Sequence, residues 1–338
     1  MKGKRIGILM GGMSSEKEIS LKTGEAVFEA LKSRGHDVVK VFVDRHIDQV
    51  LRQTPIDVAF LALHGTYGED GCIQGLLELL GIPYTGAGVL ASALAMDKLK
   101  SKEMFRLHNV PTPPYYSIEA DSLDKLETVH GSFGFPAFVK PRRDGSSVGA
   151  GRANNMVELR ERVEDAAQFD SSVLVERFVA GREIAVAVLD GRALGAIEIV
   201  PRGAFYDYTS KYQKGQSDYY FPARLSPTRY KGVLNIAERA SRCLGADVYS
   251  RVDGLVTEGE NEYVLEVNTL PGMTATSLTP KIAAGAGYSF ADLCEVILNK
   301  ATTHTGRRGA RERISVAPSA PESTGVDESE PAVAKNAS

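Results

Sequence analysis

Three short apolar runs near the N-terminus, KRIGILM, HDVVKVFV and DVAFLAL, constrain the fold more than anything else in the chain. Each is short, rich in β-branched residues and nearly continuous in hydrophobicity, so each reads as a strand. Amphipathic segments at 16–32 and 73–80 alternate with them, and that alternation predicts a parallel sheet flanked by helices. Ligands on such sheets collect beyond the carboxyl ends of the strands, which here means residues 11–16 and 64–71.

A second texture begins near Asp97. Two helical stretches bracket NVPTPPYYSI, whose prolines bar a helix and mark a connection. From about Phe135 the runs FPAFVK, SSVLVERFV, EIAVAVL and ALGAIEIV are joined by short turns and predict a mostly antiparallel sheet. A long helix is expected over 227–244, then strands carrying SRVDGLVT and YVLEVN, then a helical end in FADLCEVILNK. Beyond His304 the chain turns to Arg, Ser, Pro, Glu and Ala with few large apolar residues, so 305–338 is expected not to pack. The division is 1–96, 97–180 and 181–304, plus that tail. With 338 residues, 43% of them hydrophobic, there is apolar surface enough for several domains. A net charge of −3 leaves no broad electrostatic footprint for nucleic acid or an anionic membrane. Three cysteines without CxxC spacing indicate neither a disulfide framework nor a zinc ribbon. No apolar run reaches the length of a membrane span or suits a signal peptide, and the expected location is the cytoplasm.

The chemistry starts from YVLEVN. Alternation along a strand sends Val264, Glu266 and Asn268 one way and Leu265 and Val267 the other. Burying an unpaired carboxylate costs several kcal/mol, so Glu266 needs a cation, a donor cluster or a wet sheet edge. SRVDGLV adds Asp253, making two carboxylates and an amide oxygen on neighbouring strands. Hard oxygen donors of this kind suit Mg²⁺ with phosphate oxygens completing its shell; alternatively the acids pair with Arg251 or a lysine. Neither a GxxxxGK[ST] loop nor a proper GxGxxG follows any strand. Instead VKPRRDGSSVGAG places Lys140 at a strand end, before Gly145, Ser146, Ser147 and Gly149 in a donor-rich loop. Such a loop either wraps phosphates with backbone N–H groups or simply connects a hairpin. The polar, aromatic stretch at 206–222 is long for a connection and reads as a lid carrying Lys211 and Tyr212, or as a surface hairpin. Near the start, GGMSSEKEIS turns a strand into a helix, with Ser14 or Ser15 as N-cap and Glu16 in the first turn. In HGTYGEDG a helix N-cap at Asp70 would explain the second half of the turn but not His64.

In chain order, HGTYGEDGCIQG, MDKLKSK, VKPRRDGSSVG, YDYTSKY, and SRVD with LEVNTLPGMTATSL resemble the D-alanine:D-alanine ligases of the ATP-grasp superfamily, collinearly from Lys4 to Leu298. The resemblance implies an α/β chain, α+β in its ATP-binding part, built as three domains with an N-terminal parallel sheet. It implies two D-alanine sites, ATP, and a D-alanyl phosphate on the way to a dipeptide for peptidoglycan precursors. Asp253, Glu266 and Asn268 would hold two Mg²⁺ or Mn²⁺ ions, Asn268 also reaching ATP. Lys98, Lys140 and Lys211 would contact phosphates under a cover formed by Ser146, Ser147 and Val148. Glu176, Arg177, Phe178 and Val179 would form the adenine side and Glu183 would reach the ribose. Arg251 and the N–H of Gly272 would stabilise an oxyanion. Glu16 would bind the first ammonium and form a set with Ser146 and Tyr212, with His64 nearby; Ser277, Leu278 and Lys211 would receive the second substrate. Tyr212 favours an amine over a hydroxy acid as nucleophile. Arg177 and Phe178 sit where relatives often carry lysine and a bulky aromatic, a small departure that slightly blurs the adenine contacts. A homodimer through the N-terminal domain is a further implication. Two rivals are an ATP-grasp ligase with another second substrate, set apart by the lid tyrosine and MTATSL, and a nucleotide-sensing protein, which would need no oxyanion stabiliser.

Overall fold

A computed structural model describes residues 1, 3–145, 148–202, 216–246, 248–259, 261–274 and 276–304. Ser146, Ser147, Lys211, Tyr212 and the stretch 305–338 lie outside the described residues. Met1–His304 form one compact unit.

The three apolar runs become β1 (Arg5–Gly11), β2 (Asp37–Val43) and β3 (Val58–Leu61), with α1 (Lys17–Ser33), α2 (Ile47–Gln53), α3 (Cys72–Leu80) and α4 (Val89–Met96) between and after them. The sheet is parallel in the order β2-β1-β3. In β1 and β3 Ile6, Ile8 and Phe60 are wholly buried, as strands covered on both faces require, whereas β2, at the sheet edge, leaves Phe42 exposed. Ser14 does not cap α1. Its hydroxyl donates to the His64 carbonyl at 2.7 Å and accepts from the Glu16 N–H, which leaves Glu16 itself at the N-cap position. Gly71, in the left-handed region, is the N-cap of α3 in place of Asp70. Asp70 still serves the turn, accepting from Cys72 N at 3.0 Å and Tyr67 N at 2.7 Å.

α5 (Lys98–Leu107) leads to β4 (Tyr115–Glu119), a 3₁₀ turn over Ala120–Lys125, α6 (Leu126–His130), β5 (Ala137–Pro141), β6 (Gly151–Ala153), α7 (Met156–Ala167) and β7 (Ser172–Arg177). These strands form an antiparallel sheet in the order β4-β7-β5-β6. The second half of NVPTPPYYSI is therefore a strand and not a connection: the prolines stop at 114, and the β-prone YYSI that follows pairs with β7.

A second antiparallel sheet, in the order β10-β9-β8-β11-β12, contains β8 (Arg182–Leu189), β9 (Arg192–Pro201), β10 (Ser217–Tyr220), β11 (Tyr249–Val256) and β12 (Glu262–Asn268). The end of the expected lid, 217–220, is thus an edge strand bonded to β9. α8 (Pro227–Leu244) has the predicted bounds because Ser226 caps it with Pro227 in the first turn and left-handed Gly245 ends it. α9 (Leu278–Gly285) and α10 (Phe290–Asn299) complete the unit.

Candidate active site

β11 and β12 place the acids. Arg251 opposes Asn268 and Asp253 opposes Glu266, and residues opposite one another in an antiparallel ladder project to one face. Immediately after Asp253 the register slips, so that Gly254 opposes Val264 and Leu265 is the extra residue of a β-bulge. Strict alternation therefore fails here. Val264 and Val267 are both buried in the apolar core under α8, while Leu265 joins Glu266 on the opposite, cavity face. The bulge reconciles an acid with a buried strand by keeping the apolar contact on one side and giving the carboxylate an open face.

On that face Arg251 grips Asp253 with two hydrogen bonds, Nε to Oδ1 at 2.8 Å and a terminal nitrogen to Oδ2 at 2.7 Å. Asn268 Nδ2 also donates to Asp253 Oδ2 at 3.0 Å. Pairing of Asp253 with Arg251 is thus realised. Among the described residues no three His, Cys, Asp or Glu side chains gather as a self-contained metal site. Two carboxylates and one amide oxygen on one face nonetheless suit a magnesium ion that takes its other ligands from phosphate and water.

Two cavities meet at Glu266 and Gly145, which line both. The smaller, 320 Å³, runs from β12 to the start of α1 and is walled by Glu16, His64, Glu69, Arg251, Leu270 and Gly272. The larger, 490 Å³, lies between the two antiparallel sheets, from Lys98 and Lys140 to Glu183. At the base of its glycine loop Asp97 accepts from Lys100 N at the start of α5 and holds Arg142 through two hydrogen bonds of 2.8 and 2.6 Å. The Lys98 ammonium donates to the Asp144 carbonyl. The helix and the loop are thereby one fixture.

Residues 104–299 match the family described as D-ala D-ala ligase C-terminus, and 46–87 match D-ala D-ala ligase N-terminus. The chain is 52% identical to a D-alanine–D-alanine ligase of Anaeromyxobacter sp. (strain K), over 88% of this chain and 97% of that one. This chain belongs to the D-alanine–D-alanine ligase family. A Bacillus anthracis D-alanine–D-alanine ligase solved in complex with ATP superposes with a TM-score of 0.76 at 35% identity, over 88% of this chain and 97% of that one. The VanG D-Ala:D-Ser ligase of Enterococcus faecalis superposes at 0.78 with 29% identity, over 88% and 99%.

Of the residues that the ligase resemblance singled out, Glu16, His64, Arg251, Asn268, Gly272, Ser277 and Leu278 line the smaller cavity. Glu16 is buried, and added Cβ atoms on Gly65 and Gly145 would come within 3.0 and 3.1 Å of its carboxylate. Gly272 has the same reason to be glycine, because its Cβ would lie 2.8 Å from Ser277 Oγ. That hydroxyl is already held by Thr274, 2.8 Å from its Oγ1. Lys140, Val148, Glu176, Phe178, Val179, Glu183 and Asp253 line the larger cavity. Arg177 lines it too, but its guanidinium is committed to the Phe133 carbonyl at 3.0 Å. Phe178 is stacked under Arg152, whose guanidinium carbon is 4.5 Å from the ring centroid.

Sequence reasoning gave no role to Glu69, although it shares one glycine-rich turn with His64. Gln74, fully buried, donates to the Gly68 carbonyl at 2.8 Å and holds that turn against α3. Burial, reinforced by the negative Glu16, pushes the Glu69 carboxyl up to about 8, against a Gly65 N–H donated at 2.7 Å. Burial lowers His64 below the ordinary imidazole range, opposed chiefly by Glu16, and its Nε2 sits 3.1 Å from Thr23 Oγ1. At neutral pH the pocket therefore contains a neutral acid and a neutral imidazole beside Glu16. The folded chain retains a proton on Glu69 that the unfolded chain loses near its ordinary 4.5, so this contribution to stability is lost as pH rises to about 8. Glu69→Gln abolishes that titration. Urea denaturation at about pH 5.5 and pH 8 is expected to show a smaller loss for the variant than for the parent, by on the order of a few kcal/mol.

Proposed function

We propose that this chain joins two D-alanine molecules at the expense of ATP, releasing D-alanyl-D-alanine, ADP and phosphate for the synthesis of peptidoglycan precursors. The observation that carries the reading is the meeting of a polar, amino-acid-sized cavity with a larger, nucleotide-sized one at Glu266. A carboxylate is a poor electrophile at neutral pH. An oxygen of the first D-alanine carboxylate attacks the γ-phosphorus, the bond to ADP breaks, and an acyl phosphate forms. The amine of the second D-alanine then attacks that carbonyl carbon, loses a proton, and expels phosphate.

Each residue has a part in that sequence. Glu16 receives the ammonium of the first D-alanine, a role supported by its burial beside two glycines, and neutral His64 lies next to it. Arg251 and the Gly272 N–H stabilise the tetrahedral oxyanion, where donors fixed in advance are worth several kcal/mol. Ser277 and Leu278, at the start of α9, receive the second D-alanine with Lys211, while Tyr212 and Ser146 complete the set around Glu16. Lys98, Lys140 and Lys211 hold phosphates under Ser146, Ser147 and Val148. The stretch 176–179 lies along the adenine, and Glu183 takes the ribose hydroxyls. Asp253, Glu266 and Asn268 would hold two Mg²⁺ or Mn²⁺ ions, which when bound spread the charge of the transferring phosphoryl group. The divisions at 96/97, 180/181 and 304/305 belong to this reading, as does a cytoplasmic homodimer through the N-terminal domain. A species sedimenting at the single-chain mass of 36.5 kDa would remove the dimer. Among the described residues no helix is long and apolar enough to cross a membrane.

Incubation with ATP, Mg²⁺ and D-alanine is expected to yield the dipeptide by mass spectrometry with one phosphate per peptide bond. Parallel arms with D-serine and D-lactate decide the second substrate. Turnover only in one of those arms would transfer the assignment to the corresponding ligase.

A further inference from the structure

Lys102, on α5, is completely buried, and it is not among the residues lining either cavity. Its ammonium lies 2.5 Å from Glu176 Oε1, donates to Thr112 Oγ1 at 2.5 Å, and sits 5.6 Å from the centroid of the Tyr115 ring. The other oxygen of Glu176 lies 2.8 Å from the ammonium of Lys140. Lys140 and Glu176 both line the larger cavity. One buried carboxylate thus stands between two lysines, one behind the wall and one at the cavity.

The charge count gives this arrangement a purpose. A Lys140–Glu176 pair alone would sum to zero and offer an anionic ligand little net attraction. A second lysine behind Glu176 restores one positive charge to the trio, and that charge is expressed at the cavity by Lys140. Desolvation makes even a paired buried ammonium costly compared with an apolar side chain, so its presence behind the wall calls for such a purpose. We propose that Lys102 is a positioning residue that neutralises Glu176 from behind and thereby keeps Lys140 electrostatically available to nucleotide phosphates. This rests on the larger cavity being the ATP site.

The titration directions agree with the geometry. Burial pushes the Lys102 ammonium down to about 8, with Glu176 opposing and Lys140 assisting. Burial alone would raise the Glu176 carboxyl, but Lys102 and Lys140 together outweigh it and hold it below the ordinary range. The groups acting on Lys102 are Glu176 on β7, Lys140 on β5 and, at longer range, Glu266 on β12, with the Tyr115 ring on β4 packed against it.

The test compares ADP, which carries phosphates, with adenosine, which does not, by calorimetric titration without divalent cation. Lys102→Met is expected to weaken ADP about 10-fold relative to adenosine, the size of one lost partly screened charge. Removing both charges, in Lys102→Met with Glu176→Gln, is expected to restore the ADP-to-adenosine ratio to within a few fold of the parent. A merely structural role would weaken both ligands alike and show no restoration. Should the single variant not fold, the parent and the double variant are compared between about pH 7 and pH 9. The ratio is expected to fall in the parent and hold in the double variant, because only the parent has a proton to lose at Lys102. An unchanged ratio in Lys102→Met, or matching pH profiles, overturns the inference alone. A parent chain that binds neither ligand overturns the ATP-site reading with it.

Discussion

Glu266→Gln is expected to lower dipeptide synthesis by on the order of 10³-fold while the fold persists. The side chain is nearly isosteric, and Val264 and Val267, which anchor β12 in the core, point to the other face. Glu266 opposes Asp253 in the ladder, so two carboxylates share one face. The substitution keeps the side chain's size and hydrogen-bonding capacity, and stability without divalent cation is expected to stay within about 1 kcal/mol of the parent. Loss of turnover with no loss of stability would be the mark of a residue retained for chemistry. Near-parental turnover would remove the metal and phosphoryl assignment of this face.

Arg251→Met is expected to lower kcat by about 10²–10³-fold with much less effect on ADP affinity. Arg251 lies in the smaller cavity, so a nucleotide confined to the larger one would scarcely register its loss. Both of its hydrogen bonds to Asp253 go with it, and Asp253 is left with Asn268 as its remaining described donor. Part of the expected loss therefore arises indirectly, through a carboxylate free to turn. Asp253→Asn in the same background separates the two contributions. If Arg251 acted only by holding Asp253, the second substitution would cost no more than a few fold further, whereas an oxyanion donor leaves Asp253 an effect of its own.

Much of the arrangement was legible in the chain because it rests on local chemistry. Continuous β-branched runs announce strands, although at the sheet edge β2 leaves Phe42 exposed, and Ser226, Pro227 and Gly245 bound α8 without help from the rest of the molecule. Motifs such as HGTYGEDG and LEVNTLPG bring most of their chemistry within a few residues, so residues that the sequence already distinguished stand in the walls of both cavities. The misreadings are equally physical. Ser14 has the chemistry of a cap, but the His64 carbonyl, fifty residues away, captures its hydroxyl. Leu265 has the parity of a core residue, but the slip between Asp253 and Gly254 turns it to the cavity.

Composition, the placing of most strands and helices along the chain and the identity of the acids, lysines and glycines were determined by the sequence alone, because each follows from what one side chain or one short run prefers. Which groups stay protonated was not so determined. The neutrality of Glu69, the pairing of Lys102 with Glu176 and the bulge that opens Glu266 to a ligand all depend on groups from distant segments sharing a low-dielectric space. Desolvation and through-space charge do not follow chain order, so only tertiary packing could decide them.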